Sequence, residues 1–203
     1  MIHQRKNEIL GLEEILKQIH SSRIHKIPVG LFVEGGDVIV SEKYIYVGVC
    51  KLKTFEKHQV SRTSYEILDY FSNKFPNKEV VGLELKKSDI NPRQNCLHLD
   101  CCFQPLGLGH AIVYPDGFKS ESDFNLIENI FGSDKLIIVD QDEMYNMFPN
   151  IFSISHNIIV SDKKFHRLNK LLTKKGYVVE EIAFCEVSKM GGLLRCSTLP
   201  LLR

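Results

Sequence analysis

Three stretches of this 203-residue chain hold residue types that could do chemistry together. Near the C-terminus, Gly191-Gly192-Leu193-Leu194-Arg195-Cys196-Ser197-Thr198-Leu199-Pro200-Leu201 sets one thiol after two glycines and inside an apolar run. Glycines let a backbone bend or come close to a ligand, so the pattern predicts a positioned cysteine where a buried strand begins, although a merely buried thiol gives the same pattern. A nucleophilic cysteine needs a base and a group that orients the base. Asn95-Cys96-Leu97-His98-Leu99-Asp100-Cys101-Cys102 offers an imidazole and a carboxylate. On a strand, alternation puts His98 and Asp100 on one face and Leu97 and Leu99 on the other. Cys96 and Cys102 share the His98 face, which opens a metal reading, but i, i+2 neighbours on one strand cannot easily surround a tetrahedral ion. Glu34-Gly35-Gly36-Asp37 places an acid at a strand end beside two glycines, either a fixed carboxylate next to open space or an ordinary turn.

These residues must be held by elements that the periodicity outlines. Ile9, Leu12, Ile15, Leu16 and Ile19 recur at helical spacing and predict an amphipathic helix over Asn7 to His20. Val29 to Val33 reads as a buried strand feeding the Glu34 turn, followed by strands at Val38-Ile39-Val40 and Tyr44 to Val49. After a loop from Lys51 to Val60, a helix capped at Thr63 or Ser64 runs to about Phe75, and Val80 to Leu85 is a strand. The order then repeats. Cys96 to Phe103, His110 to Tyr114, a helix near Ser122 to Phe131 and Leu136 to Val139 form a second unit. Ile151 to Ser155, Ile158 to Val160, a helix from Asp162 to Lys174 and Tyr177 to Ile182 form a third. Strand, strand, helix, strand recurring at roughly 50 to 65 residues implies a propeller or array; an open mixed sheet has the same element order. Gly191 to Leu202 reads as the first half of one further unit.

With 26 basic and 25 acidic residues the chain carries a net charge of +1, which argues against nucleic acid and charged membrane surfaces as partners. No apolar run is long enough to span a bilayer, and Met1-Ile2-His3-Gln4-Arg5-Lys6 lacks the apolar core of a signal peptide, so the expected location is cytoplasmic. Six cysteines in apolar contexts, with no paired C-x-x-C, predict reduced thiols. The hydrophobic content of 43% suits one domain over residues 1–203.

Taken together, Phe32-Val33-Glu34-Gly35-Gly36-Asp37, His98-Leu99-Asp100-Cys101-Cys102-Phe103-Gln104-Pro105-Leu106-Gly107 and Leu193-Leu194-Arg195-Cys196-Ser197-Thr198-Leu199-Pro200-Leu201 resemble the guanidine-modifying superfamily of arginine deiminases, dimethylarginine hydrolases, agmatine deiminases and amidinotransferases. The resemblance implies an α/β fold, the five-bladed pentein propeller, and a cysteine-dependent hydrolase or amidinotransferase acting on arginine or a related guanidine without metal or organic cofactor. It implies that Cys196 attacks the guanidinium carbon, that His98 moves protons and that Glu34 orients His98. Asp100, Arg62 and Asp37 are the substrate-binding candidates, with Asp100 accepting from the guanidinium and Arg62, of Ser61-Arg62-Thr63-Ser64, meeting an α-carboxylate. Family members carry an earlier unit whose Asp adds a second guanidinium clamp, and nothing before the opening helix matches it. The expectation is therefore a propeller incomplete at its N-terminus, whose open edge favours a homodimer. A non-catalytic guanidine-binding protein on the same fold is the competing reading.

Overall fold

The computed structural model describes residues 8–199. The chain enters through a 3-10 segment, Glu8–Leu12, and a single turn α1 (Glu13–Leu16). Three sheets of three strands follow. In the first, β1 (Val38–Val40) pairs antiparallel with β2 (Tyr44–Val49), and β2 pairs parallel with β3 (Glu79–Glu84) across α2 (Leu52–Lys57) and α3 (Ile67–Lys74). The second contains β4 (Phe103–Pro105), β5 (Ala111–Val113), α4 (Glu121–Phe131) and β6 (Leu136–Ile138) in the same sense. After α5 (Gln141–Tyr145) the third repeats it with β7 (Phe152–Ser153), β8 (Ile158–Asp162), α6 (His166–Lys174) and β9 (Val178–Ile182); α7 (Cys185–Ser188) closes the regular structure. A parallel pair needs a crossover and an antiparallel pair needs only a turn, so one turn and one helical crossover per unit account for the order.

The middle strands β2 and β5 are buried on both faces almost throughout, as their apolar runs require, and β8 buries Ile159 together with Ser161 and Asp162. Ile45, Val47 and Val49 of β2 pack with Ile67 and Phe71 of α3 in one cluster. A larger cluster joins Leu83 and Leu85 to Phe103, Ile112, Ile127, Ile159, Leu168 and Leu172 and links all three units. Each such aliphatic side chain contributes about 1.5–3 kcal/mol through burial. The helix ends follow local chemistry: the Ser120 hydroxyl accepts from Ser122 N at the start of α4, and Gly132 leaves it at φ +84. Asp140 and Glu143 form a capping box on α5.

Five local expectations are corrected. The first helix shrinks to α1, which buries no residue; Leu10 and Ile15 are exposed, and a short helix without a packed face has little to stabilise it. Asn7 lies outside the described residues. Val29 to Val33 pairs with no sheet, and Val29 is fully exposed at 106%. The stretch from Cys96 to Phe103 is not one strand: Leu99–Cys101 is a 3-10 turn, in which Cys101 N donates to His98 O and Cys102 N to Leu99 O, and β4 starts only at Phe103. Cys196 opens no strand, because Ser197 N and Thr198 N fold back onto Leu193, Leu194 and Arg195 carbonyls. Residues 200–203 of that segment lie outside the described residues. The segment taken as a loop from Lys51 to Val60 contains α2.

One regularity positions the chemistry. A buried polar residue sits just ahead of the first strand of every unit: Asp37 before β1, Asp100 before β4 and Asn150 before β7.

Candidate active site

The Glu34 carboxylate and the His98 ring are brought together by two turns. Gly35–Asp37 is a 3-10 turn with Glu34 extended at its start, and Asp37 N donates to Glu34 O. His98 stands extended at the start of the Leu99–Cys101 turn. The two meet at 2.8 Å between His98 Nε2 and Glu34 Oε2. Gly36 makes room for the ring, since a Cβ there would stand 2.7 Å from His98 Cγ and Nδ1. Burial alone would push the imidazole pKa down; the Glu34 hydrogen bond and the Asp37, Asp100 and Glu34 charges outweigh it and raise the pKa. Arg62 adds a cation to this pair, with Nη1 3.9 Å from Glu34 Oε1. Its Nε and Nη1 are buried and make no hydrogen bond among the described residues.

Asp37 acts inside the protein. Its Oδ1 accepts from Leu99 N at 2.9 Å and its Oδ2 from the Thr63 hydroxyl at 2.6 Å, while Thr63 Oγ1 accepts from Glu34 N at 3.2 Å. Only 1% of Asp37 is exposed, and burial raises its pKa. The carboxylate thereby ties the turn bearing Glu34 to the turn bearing His98.

Asp100 and Cys196 form the second pair. Cys196 Sγ lies 3.9 and 3.8 Å from the two Asp100 oxygens, and Arg195 Nε lies 3.7 Å from Oδ2. Arg195 also donates to Val38 O at 3.0 Å, joining the thiol segment to β1. Burial of Asp100, opposed by the His98 and Arg195 cations, pushes its pKa up to about 6. Burial and the Asp100 charge raise the Cys196 thiol to about 11, against the hydrogen bonds it receives. At neutral pH the ligand-free site therefore holds a thiol beside a carboxylate that is largely ionised. A planar cation entering beside Asp100 would shift the thiol toward thiolate.

The double glycine ahead of Cys196 now has a physical reason. Gly191 takes φ +88, and a Cβ on Gly192 would stand 2.8 Å from Cys196 Cβ and 3.3 Å from its sulfur. The residue beneath the thiol is Asn150, which sequence reading did not single out: Nδ2 donates to Cys196 Sγ at 3.1 Å and to Asp100 O at 3.3 Å, and Oδ1 accepts from Leu193 N and Cys196 N at 3.1 Å each. Its position just before β7, matching Asp37 and Asp100 in their units, was the signal available in the repeat.

Among the described residues, no three His, Cys, Asp or Glu side chains gather as a metal site, so the Cys96, His98, Asp100 and Cys102 reading has no support. Cys96 and Cys102 are buried, with Cys102 Sγ donating to Leu99 O. No described helix is long and apolar enough to cross a membrane.

The sequence matches the family described as "N,N dimethylarginine dimethylhydrolase, eukaryotic" over residues 3–203. Bacillus subtilis YkgA is 29% identical over 171 residues, which cover 84% of this chain and 52% of that protein. The fold superposes on the product-bound N-terminal domain of ArgZ, an arginine dihydrolase from the ornithine-ammonia cycle in cyanobacteria, with a TM-score of 0.74 and 26% identity over 93% of this chain and 64% of that one. An ArgZ domain described as covalently bound to a reaction intermediate gives a TM-score of 0.72 at 26% identity over 92% of this chain and 64% of that one. The chain thus spans about half the length of YkgA and under two thirds of the ArgZ domain.

Proposed function

Because the chain belongs to the N,N dimethylarginine dimethylhydrolase family, within the pentein superfamily of guanidine-modifying hydrolases, we propose that it hydrolyses the guanidinium group of arginine or a related compound through a covalent amidino-cysteine at Cys196. The observation that carries this reading is the placement of Cys196 Sγ 3.8 Å from the Asp100 carboxylate, with His98 held by Glu34.

The guanidinium donates to Asp100, and its charge draws the Cys196 proton off to solvent. The thiolate adds to the guanidinium carbon and forms a C–S bond. His98, kept protonated by Glu34, donates its proton to the departing nitrogen as the C–N bond breaks, releasing ammonia or an amine. Neutral His98 then takes a proton from water, whose oxygen adds to the same carbon; the C–S bond breaks with its electron pair returning to sulfur, and the ureido product leaves after its hydroxyl proton passes to the thiolate or to solvent. The hydrolytic names of ArgZ and of the matching family favour water over an amine as acceptor. Arg62, with two donors that make no hydrogen bond among the described residues, suits a substrate carboxylate, which favours an amino acid such as arginine over a decarboxylated amine. We assign Asp37 to holding the two turns rather than to substrate, because both its oxygens already accept bonds from the protein.

The test is turnover of arginine, its methylated derivatives and agmatine, read as ammonia or amine together with the ureido product. Wild-type turnover that Cys196→Ser abolishes, with arginine preferred over agmatine and that preference lost in Arg62→Gln, is expected. Ligand binding without turnover by any guanidine would overturn it in favour of a binding module.

A further inference from the structure

Asn150 is completely buried, and its carboxamide has no spare capacity. A primary amide can donate twice and accept twice. Here Oδ1 accepts from Leu193 N and Cys196 N, and Nδ2 donates to Asp100 O and Cys196 Sγ. The amide orientation is fixed by its partners, since flipping it would face two backbone donors with an NH2 group and a carbonyl with an oxygen. Its own backbone is tied in as well, as Asn150 O accepts from Arg195 N at 3.2 Å. One residue at the entrance of the third unit therefore holds both the turn bearing the nucleophile and the turn bearing the carboxylate that faces it.

We propose that Asn150 is the positioning residue of this site: its carboxamide fixes the Leu193 to Cys196 turn relative to Asp100 and presents an N–H to the sulfur, stabilising the thiolate as it forms. The inference rests on the reading of Cys196 as nucleophile. The thiol must stand beside Asp100 for one guanidinium to meet both, yet an ionised carboxylate at 3.8 Å opposes ionisation of the sulfur. The Asn150 N–H is the fixed dipole on the other side, and it acts with or without substrate. A hydrogen bond to a charged acceptor is stronger than one to a neutral one, so this contact favours the thiolate over the thiol. The thiol proton cannot point at Asn150, which leaves the Asp100 oxygens as its acceptors.

The experiment is the pH dependence of Cys196 alkylation by neutral iodoacetamide, followed peptide by peptide in wild type and Asn150→Asp. The acid keeps an acceptor for Leu193 and Cys196 N–H and replaces the donor facing sulfur with an oxygen. The expected result is an alkylation midpoint raised by about one pH unit, or roughly tenfold slower labelling near pH 8, for Cys196 but not for partly buried Cys185. An unchanged Cys196 midpoint overturns the proposal. Should Asn150→Asp not fold, the wild-type chain decides: the Asn150 side-chain amide resonances must titrate with Cys196, and resonances that ignore its ionisation overturn the proposal equally. Neither readout requires turnover. A chain inactive on guanidines can still support the role of Asn150, and an active chain with an unmoved midpoint retains the proposed function while losing this inference.

Discussion

Replacing Asp100, the proposed guanidinium acceptor, by Asn should stabilise the protein, and the gain should depend on pH. Asp100 is 1% exposed, and its pKa rises from 3.8 to about 6 on folding, because burial outweighs the His98 and Arg195 cations. A carboxylate whose folded pKa lies above its unfolded value favours the protonated fold. Stability is therefore highest below the unfolded pKa and falls as pH rises through the folded one. At about 1.36 kcal/mol per unit, ionised Asp100 costs about 3 kcal/mol near pH 7.5 and only about 0.5 kcal/mol near pH 4. Asn has nearly the same shape and does not titrate. Urea unfolding of wild type and Asp100→Asn between about pH 4 and 8 should then give a stability difference that grows by about 2–3 kcal/mol in favour of the variant. A difference that stays flat, or that turns against Asn as pH rises, would refute the reasoning, for it would mean that Arg195 and His98 already compensate the buried charge in full.

Two further outcomes test the packing. Gly36→Ala sets a Cβ against the His98 ring at 2.7 Å and should break its bond to Glu34, so the His98 pKa measured by NMR falls below its wild-type value, as burial then acts unopposed by that bond. Leu168→Ala removes a side chain with no exposure from the core joining the units and should cost about 2–5 kcal/mol in urea unfolding, whereas Val29→Ser at a fully exposed position should change stability by less than about 0.5 kcal/mol.

The unit order was legible because strand runs such as Tyr44 to Val49 and Ile158 to Val160 are short, apolar and bounded by turn residues, while α3, α4 and α6 keep a clear apolar face. Elements lacking that support were misread. The first helix had the right spacing but no surface to cover, and Asp140 with Glu143 announced α5 by a capping box that was passed over. His98 and Asp100 were paired by strand alternation, yet the intervening backbone turns because Asp37 holds Leu99 N from another unit, a contact across 62 residues. Distant hydrogen bonds of this kind leave no period in the sequence. Asn150 was missed for the same reason: nothing adjacent marks it, and only its place in the third copy, matching Asp37 and Asp100, could have drawn notice.

The central claim is that Cys196 is a nucleophile in a site shaped for a planar cation beside Asp100. The most direct measurement is peptide-resolved mass spectrometry after treatment with a chloroacetamidine and, separately, with neutral chloroacetamide. The account predicts that the cationic reagent labels Cys196 faster than the neutral one does, that arginine protects it, and that the buried Cys50, Cys96, Cys101 and Cys102 stay unlabelled. Labelling of Cys196 no faster by the amidine than by the amide, or unaffected by arginine, would contradict it.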